Sequence, residues 1–158
     1  MKVVKTIALG GGCHWCTEAV FQQLEGVSNV RQGYVKSDAP NDAWSEAICL
    51  DYQTSVIDLE HLIDVHLETH ASTSMHQRRE EYRSAIYFMD EPQKGALELV
   101  LSSLSRKRTK SYITQLIPFV EFKASRQSIQ NYYRTRPEAP FCKRYIEPKL
   151  EVVRNMKL

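Results

Sequence analysis

The stretch "LGGGCHWCTEAVFQQLEG", residues 9–26, places a thiol directly behind three glycines at the start of an apolar-periodic segment. A thiol in the first turn of a helix faces unpaired backbone N–H groups and the positive end of the helix dipole, and both favour thiolate. Gly10, Gly11 and Gly12 allow unusual dihedrals and leave room above the sulfur for a substrate. Cys13 is therefore the candidate nucleophile. Cys16 lies one helical turn further on, within reach to trap an oxidised Cys13 as a disulfide. The same residues admit two other chemistries: dithiol exchange by a C-x-x-C pair, and a structural metal clip completed by histidines of "HLIDVHLETH" (residues 61–70).

The elements needed to hold these thiols can be read from apolar periodicity. Val3 to Leu9 reads as a buried strand ending at the glycine turn, and Cys13 to Leu24 as a helix closed by Gly26. Strands are expected near Val27–Val35 and Glu46–Tyr52, then a helix carrying Leu59, Leu62, Ile63, Val65 and Leu67 with Asp58 as N-cap. "SAIYFM" reads as a strand, Glu91–Arg106 as the longest amphipathic helix, and "IPFVEFK" as one further strand. A helix near Ser125–Arg134, a proline-punctuated loop and a short helix from Pro148 make up the tail. The order βαββαβαβ predicts an α+β two-layer sandwich: a mainly antiparallel sheet in ferredoxin-like order, helices on one face, the tail wrapped around it.

With 158 residues, 42% hydrophobic and 25% charged, the chain is expected to fold as a single domain spanning 1–158. A net charge of +2 gives no whole-molecule drive toward nucleic acid, and Arg106-Lys107-Arg108 reads as a solvated helix end. No apolar run has the length of a membrane span and the N-terminus lacks a signal-peptide pattern, so cytoplasmic residence is expected. In that compartment Cys13, Cys16, Cys49 and Cys142 are expected as working or packed thiols rather than permanent bridges.

Three segments carry a resemblance to a known family. "GGCHWCTEAVFQQLEGV" resembles the active-site segment of peptide methionine sulfoxide reductases of the A type. "YRSAIYFMDEPQK" and "NYYRTRPEAPFCKRYIEPKLE" resemble later segments of that family in the same order, from about Thr6 to Glu151. The resemblance implies thiol-dependent reduction of methionine S-sulfoxide, protein-bound or free, without metal or organic cofactor, and with thioredoxin or another dithiol as reductant. Cys13 would attack the sulfoxide sulfur and become a sulfenic acid. Glu46 in "WSEAICLDY" matches the glutamate that supplies the proton, and Tyr82 the tyrosine that holds the sulfoxide oxygen. Trp15 matches the tryptophan walling the pocket for the S-methyl group, and Cys142 the C-terminal resolving cysteine, favoured slightly over Cys16 because its tail reads as mobile. Glu18 belongs to the family pattern as a support.

The chain departs from that pattern at three places. His14 stands where the family has phenylalanine, which predicts a more polar, pH-sensitive pocket wall. The loop between Tyr34 and Glu46 is shortened and loses a second oxygen-binding tyrosine; Trp44, donor-only, is the nearest pocket residue left there. Gln77 falls where the family places an aspartate near the substrate. The thinner oxygen-binding shell keeps open a catalytically weakened binding protein on the same scaffold, beside a thioredoxin-like dithiol oxidoreductase and a metal-binding module.

Overall fold

The computed structural model describes residues 3–70, 72–73, 81–126 and 129–156. Among the described residues, six strands and five helices follow in the order β1 (Val4–Gly10), α1 (His14–Gln22), β2 (Val27–Lys36), β3 (Ser45–Gln53), α2 (Leu59–Glu68), β4 (Ala85–Phe88), α3 (Glu91–Arg108), β5 (Gln115–Pro118), β6 (Glu121–Ala124), α4 (Tyr132–Thr135) and α5 (Glu147–Asn155). A π-helical turn, Cys142–Ile146, leads into α5. The class is α+β as expected. The strands form one sheet in the order β5-β4-β1-β3-β2-β6, with four antiparallel pairings and a parallel one between β4 and β5, so the sheet is mixed.

The expected single strand "IPFVEFK" is in fact two. Pro118 has no N–H to give a ladder, and the chain leaves β5 there to cross from one edge of the sheet to the other. Phe119 N–H donates to the Phe88 carbonyl at the end of β4, and Val120 N–H to the Lys36 carbonyl at the end of β2. Two residues thus join both edges, which requires the sheet to curl. Gly33 permits the closure, because a Cβ there would stand 2.2 Å from the Lys123 carbonyl oxygen of β6.

Side-chain alternation separates two cores. Ile7, Leu9, Ile48, Leu50 and Ile86 pack under the helices, against Val20, Phe21, Leu62, Ile63 and Leu97. The other face is lined mostly by small residues, Ala8, Val35, Ala47, Cys49 and Ala85, filled out by Tyr87, Ile117, Phe119 and Phe122. Ile7 and Leu50 lie cross-strand in the β1–β3 register, as do Leu9 and Ile48, so the larger core is fixed by that pairing.

Capping sets the helix starts. Asp58 accepts from His61 N–H and Asp90 from Gln93 N–H, each at 2.8 Å, and Pro92 occupies the first turn of α3. The basic end of α3 is not simply solvated: Arg108 makes two hydrogen bonds to Asp64 and Lys107 reaches Glu60, tying α3 to α2. The tail departs furthest from expectation. The helix expected near Ser125–Arg134 takes in residues 127 and 128, which lie outside the described residues; what is described there is α4, a single turn, and Tyr132, Phe141, Cys142, Ile146 and Leu150 dock onto the core beside α1. No helix among the described residues is long and apolar enough to cross a membrane.

Candidate active site

β1 ends at Gly10, paired with Ala47 of β3, so residue 46 lies just beyond the end of β1. There Gly12, at φ 84°, takes a left-handed conformation that a side chain would strain, and a Cβ at residue 12 would meet nothing within 4 Å. Open space therefore lies over the turn that delivers Cys13. Gly11 serves packing, since a Cβ there would strike the His70 ring at 2.4 Å.

Cys13 is the N-cap of α1 in extended backbone, with Cys16 and Thr17 N–H both donating to its carbonyl at 3.2 Å. Its thiol is held below the usual cysteine range, first by a hydrogen bond from the Cys16 thiol and further by the backbone N–H groups of Trp15 and Cys16; burial and the Glu46 charge work in the other direction. The donor in that pair is shifted oppositely: Cys16 stays protonated well above the ordinary range, because it gives its hydrogen to Cys13 and is buried. The expected nucleophile thus has a second thiol hydrogen-bonded to it.

Glu46 shares the helix-covered side of β3 with Ile48 and Leu50. Its Oε1 accepts from the His14 backbone N–H at 3.0 Å and lies 3.4 Å from His14 Nε2; its side chain is 12% exposed. The backbone N–H of Glu46 donates to the Glu81 carbonyl at 2.9 Å, which sets Tyr82, half-buried, in the neighbouring segment. The His14 ring is 4% exposed and does not form an open pocket wall. Its Nδ1 lies 2.8 Å from the Gly33 carbonyl and 3.4 Å from Ser125 Oγ, and Tyr34 meets it edge-on at 5.3 Å.

Trp15 is stacked on Tyr132 at 4.5 Å, with Phe141 edge-on at 5.2 Å. Tyr132 is held there from below: the buried Glu18 carboxylate accepts from Gln32 Nε2 at 2.7 Å and from the N–H groups of Asn131 at 3.0 Å and Tyr132 at 3.3 Å. Trp44 lies under the Lys36 ammonium, 5.0 Å from its ring centroid. Gln77 lies outside the described residues.

The tail does not present Cys142 on a free loop. Cys142 is 0% exposed in the π-helical turn, its thiol donating to the Arg136 carbonyl at 3.0 Å, and burial keeps it protonated above the ordinary range. All four cysteines are unbridged, and burial pushes Cys49 up to about 11, as a packed thiol.

His66 of α2 and His70 just beyond its end are both engaged. His66 is buried and its Nε2 donates to the Gly10 carbonyl at 2.8 Å, while His70 Nε2 lies 2.7 Å from Ser84 Oγ. Burial and the neighbouring His70 keep His66 neutral to well below the usual imidazole range. Among the described residues, no group of three or more His, Cys, Asp or Glu is placed to hold a metal ion. His66, which braces the glycine turn, was not singled out from the sequence as a site residue. The signal was present, because residues 59, 62, 63 and 66 fall on one helical stripe.

The arrangement combines a stabilised thiolate, a carboxyl group sheltered beside it and a second thiol in contact with the first. It suits a two-electron oxidation of Cys13 followed by closure to a disulfide. Comparisons with known proteins agree. The family model described as Peptide methionine sulfoxide reductase matches residues 5–158. "Peptide methionine sulfoxide reductase MsrA" of Psychrobacter cryohalolentis is 32% identical, over 96% of this chain and 95% of the relative. That of Sulfolobus acidocaldarius is also 32% identical, over 94% and 92%. Among solved structures, reduced Mxr1 from Saccharomyces cerevisiae superposes with a TM-score of 0.75 at 21% identity, covering 88% of this chain and 89% of that one. Mxr1 in complex with Trx2 gives 0.63 at 21% identity, covering 82% and 84%.

Proposed function

Since the chain belongs to the peptide methionine sulfoxide reductase family, we propose that Cys13 removes the oxygen of methionine S-sulfoxide while Glu46 donates the proton that oxygen needs. The chain is a thiol-dependent peptide-methionine (S)-S-oxide reductase, acting as one catalytic domain over residues 1–158. The observation that carries the reading is the pairing at the start of α1: Glu46 reaches the N–H of the residue after Cys13, and its charge is felt by the thiol.

The Cys13 thiolate attacks the sulfoxide sulfur, and the oxygen, a poor leaving group as the anion, takes the proton of Glu46. The substrate sulfur gains two electrons and departs as methionine. Cys13 loses two and is left as a sulfenic acid. Tyr82 holds the oxygen by its phenol, and Trp15 offers ring surface to the methyl group. Cys16 then attacks the sulfenic sulfur, forming the Cys13–Cys16 disulfide and releasing water. The hydrogen bond between the two thiols favours Cys16 in this step over Cys142, which is buried and bonded elsewhere. A dithiol of the thioredoxin type, the partner that Mxr1 meets in its complex with Trx2, returns both sulfurs to thiols. Four free cysteines fit a reducing cytoplasm.

The test is turnover of both sulfoxide epimers with dithiothreitol and with thioredoxin. The S epimer alone is expected to react, Cys13→Ser to abolish the reaction, and Glu46→Gln to slow it by roughly 10²–10⁴-fold. Turnover surviving in Cys13→Ser would overturn the assignment.

A further inference from the structure

We propose that His14 is the proton reserve of Glu46, a positioning residue that holds one proton on the carboxyl–imidazole pair and hands it to the acid for each oxygen transfer. The inference rests on the reductase reading and adds a residue to it.

Ring geometry carries the argument. A carbonyl oxygen can only accept, so the 2.8 Å contact to Gly33 fixes the hydrogen on Nδ1. Ser125 Oγ at 3.4 Å and the Tyr34 edge at 5.3 Å hold the ring plane. Nε2 is left facing Glu46 Oε1 at 3.4 Å, an ion-pair contact rather than a short hydrogen bond. On an approach closer than this 3.4 Å, Nε2 and Oε1 can share one proton, as carboxylic acid beside imidazole or carboxylate beside imidazolium. The same oxygen is pinned by the His14 N–H at 3.0 Å, and no partner among the described residues occupies Oε2, which is left to meet the substrate.

Supply matters because both groups are sheltered, at 4% and 12% exposure. The remaining titratable or charged groups around the pair are Cys13 at the N-cap, Tyr34 on β2, Lys123 opposite Tyr34 on β6, Arg126 after Ser125, and Glu81, Tyr82 and Arg83 before β4. Arg83 is already engaged, with the Ala43 carbonyl and the Tyr87 hydroxyl. Charge on Glu46 works against ionisation of Cys13, so the reactive state joins a thiolate to a pair that bears one proton.

The protons balance. His14 passes the pair's one proton to Glu46, and oxygen transfer takes it as Cys13 is oxidised and the sulfoxide reduced, which leaves carboxylate beside neutral imidazole. Disulfide formation releases water with no net proton. Reduction by the dithiol returns Cys13 as a thiol, and the proton it loses on becoming thiolate is the one the pair recovers.

The test combines turnover of the S epimer across pH 6–8 with a ¹⁵N NMR titration of the His14 ring, its signal assigned by loss in His14→Phe. In Glu46→Gln the ¹⁵N signals of the His14 ring are expected to change, because Nε2 loses the carboxylate it faces. His14→Phe is expected to lose roughly tenfold or more in kcat at pH 8, with the deficit shrinking toward pH 6 and KM nearly unchanged. His14→Gln, which keeps a donor but cannot titrate, should follow His14→Phe. A deficit equal at every pH and rescued by His14→Gln would overturn the proposal in favour of orientation alone. So would unchanged His14 ring signals in Glu46→Gln with turnover intact. Absence of turnover in the unaltered protein would instead bring down the reductase reading, whatever the titration shows.

Discussion

Replacing Glu18 by alanine tests how the tail is held over the nucleophile. The buried carboxylate accepts from Gln32 Nε2 and from the N–H groups of Asn131 and Tyr132. In Glu18→Ala the Gln32 amide keeps the Ile129 carbonyl at 2.7 Å, so the loss falls on the two backbone donors. An orphaned buried donor costs about 1–3 kcal/mol, and these two are partly sheltered, which gives a total of about 2–4 kcal/mol. For a domain of this size that corresponds to a fall in Tm of roughly 4–16 °C. The segment around Tyr132 can also release locally, which would limit the fall but free Trp15 from its stack and uncover Cys142. Thermal melts should therefore be paired with alkylation of Cys142 in the native protein, followed by peptide mass spectrometry. A Tm within about 2 °C of the parent, together with unaltered Cys142 reactivity, would refute the idea that Glu18 clamps the tail.

Two further outcomes follow from the thiols and from α2. In Cys16→Ala the Cys13 thiol loses the hydrogen bond that contributes most to its ionisation, so its alkylation midpoint should move to higher pH, and dimedone should trap a sulfenic acid at Cys13 after one turnover; rapid appearance of a Cys13–Cys142 disulfide instead would reverse the assignment of the resolving thiol. His66 is neutral when folded but takes up a proton near pH 6.5 when unfolded, so stability is full above about pH 6.5 and falls as pH drops below it, by up to about 1.4 kcal/mol per pH unit for this group. Urea unfolding at pH 7.5 and 5.5 should show a smaller loss in His66→Gln, which still offers a donor to the Gly10 carbonyl.

The proposed nucleophile was legible locally, because glycines followed by a thiol and an apolar stripe describe one turn and one helix. Glu46 was not: as a strand residue it carries no local mark, and only the resemblance to a family drew attention to it. The place of the His14 ring was beyond reach, since its partners Gly33 and Ser125 lie 19 and 111 residues away. "IPFVEFK" has the composition of a single strand, and only its partners, β4 on one side and β2 on the other, divide it. Imidazole is polar, yet the helix period already places His66 on one stripe with the core residues Leu62 and Ile63.

The two-residue crossing from β5 to β6 bears on synthesis as well as on shape. Unpaired strand margins invite other polypeptides to add to them, and β2 receives its cover only from a segment made much later. A nascent chain halted before Glu121 has β2 without that cover, whatever the state of its thiols. The finished protein removes this hazard with one short crossing, so premature termination in this region should yield sticky fragments rather than merely inactive ones.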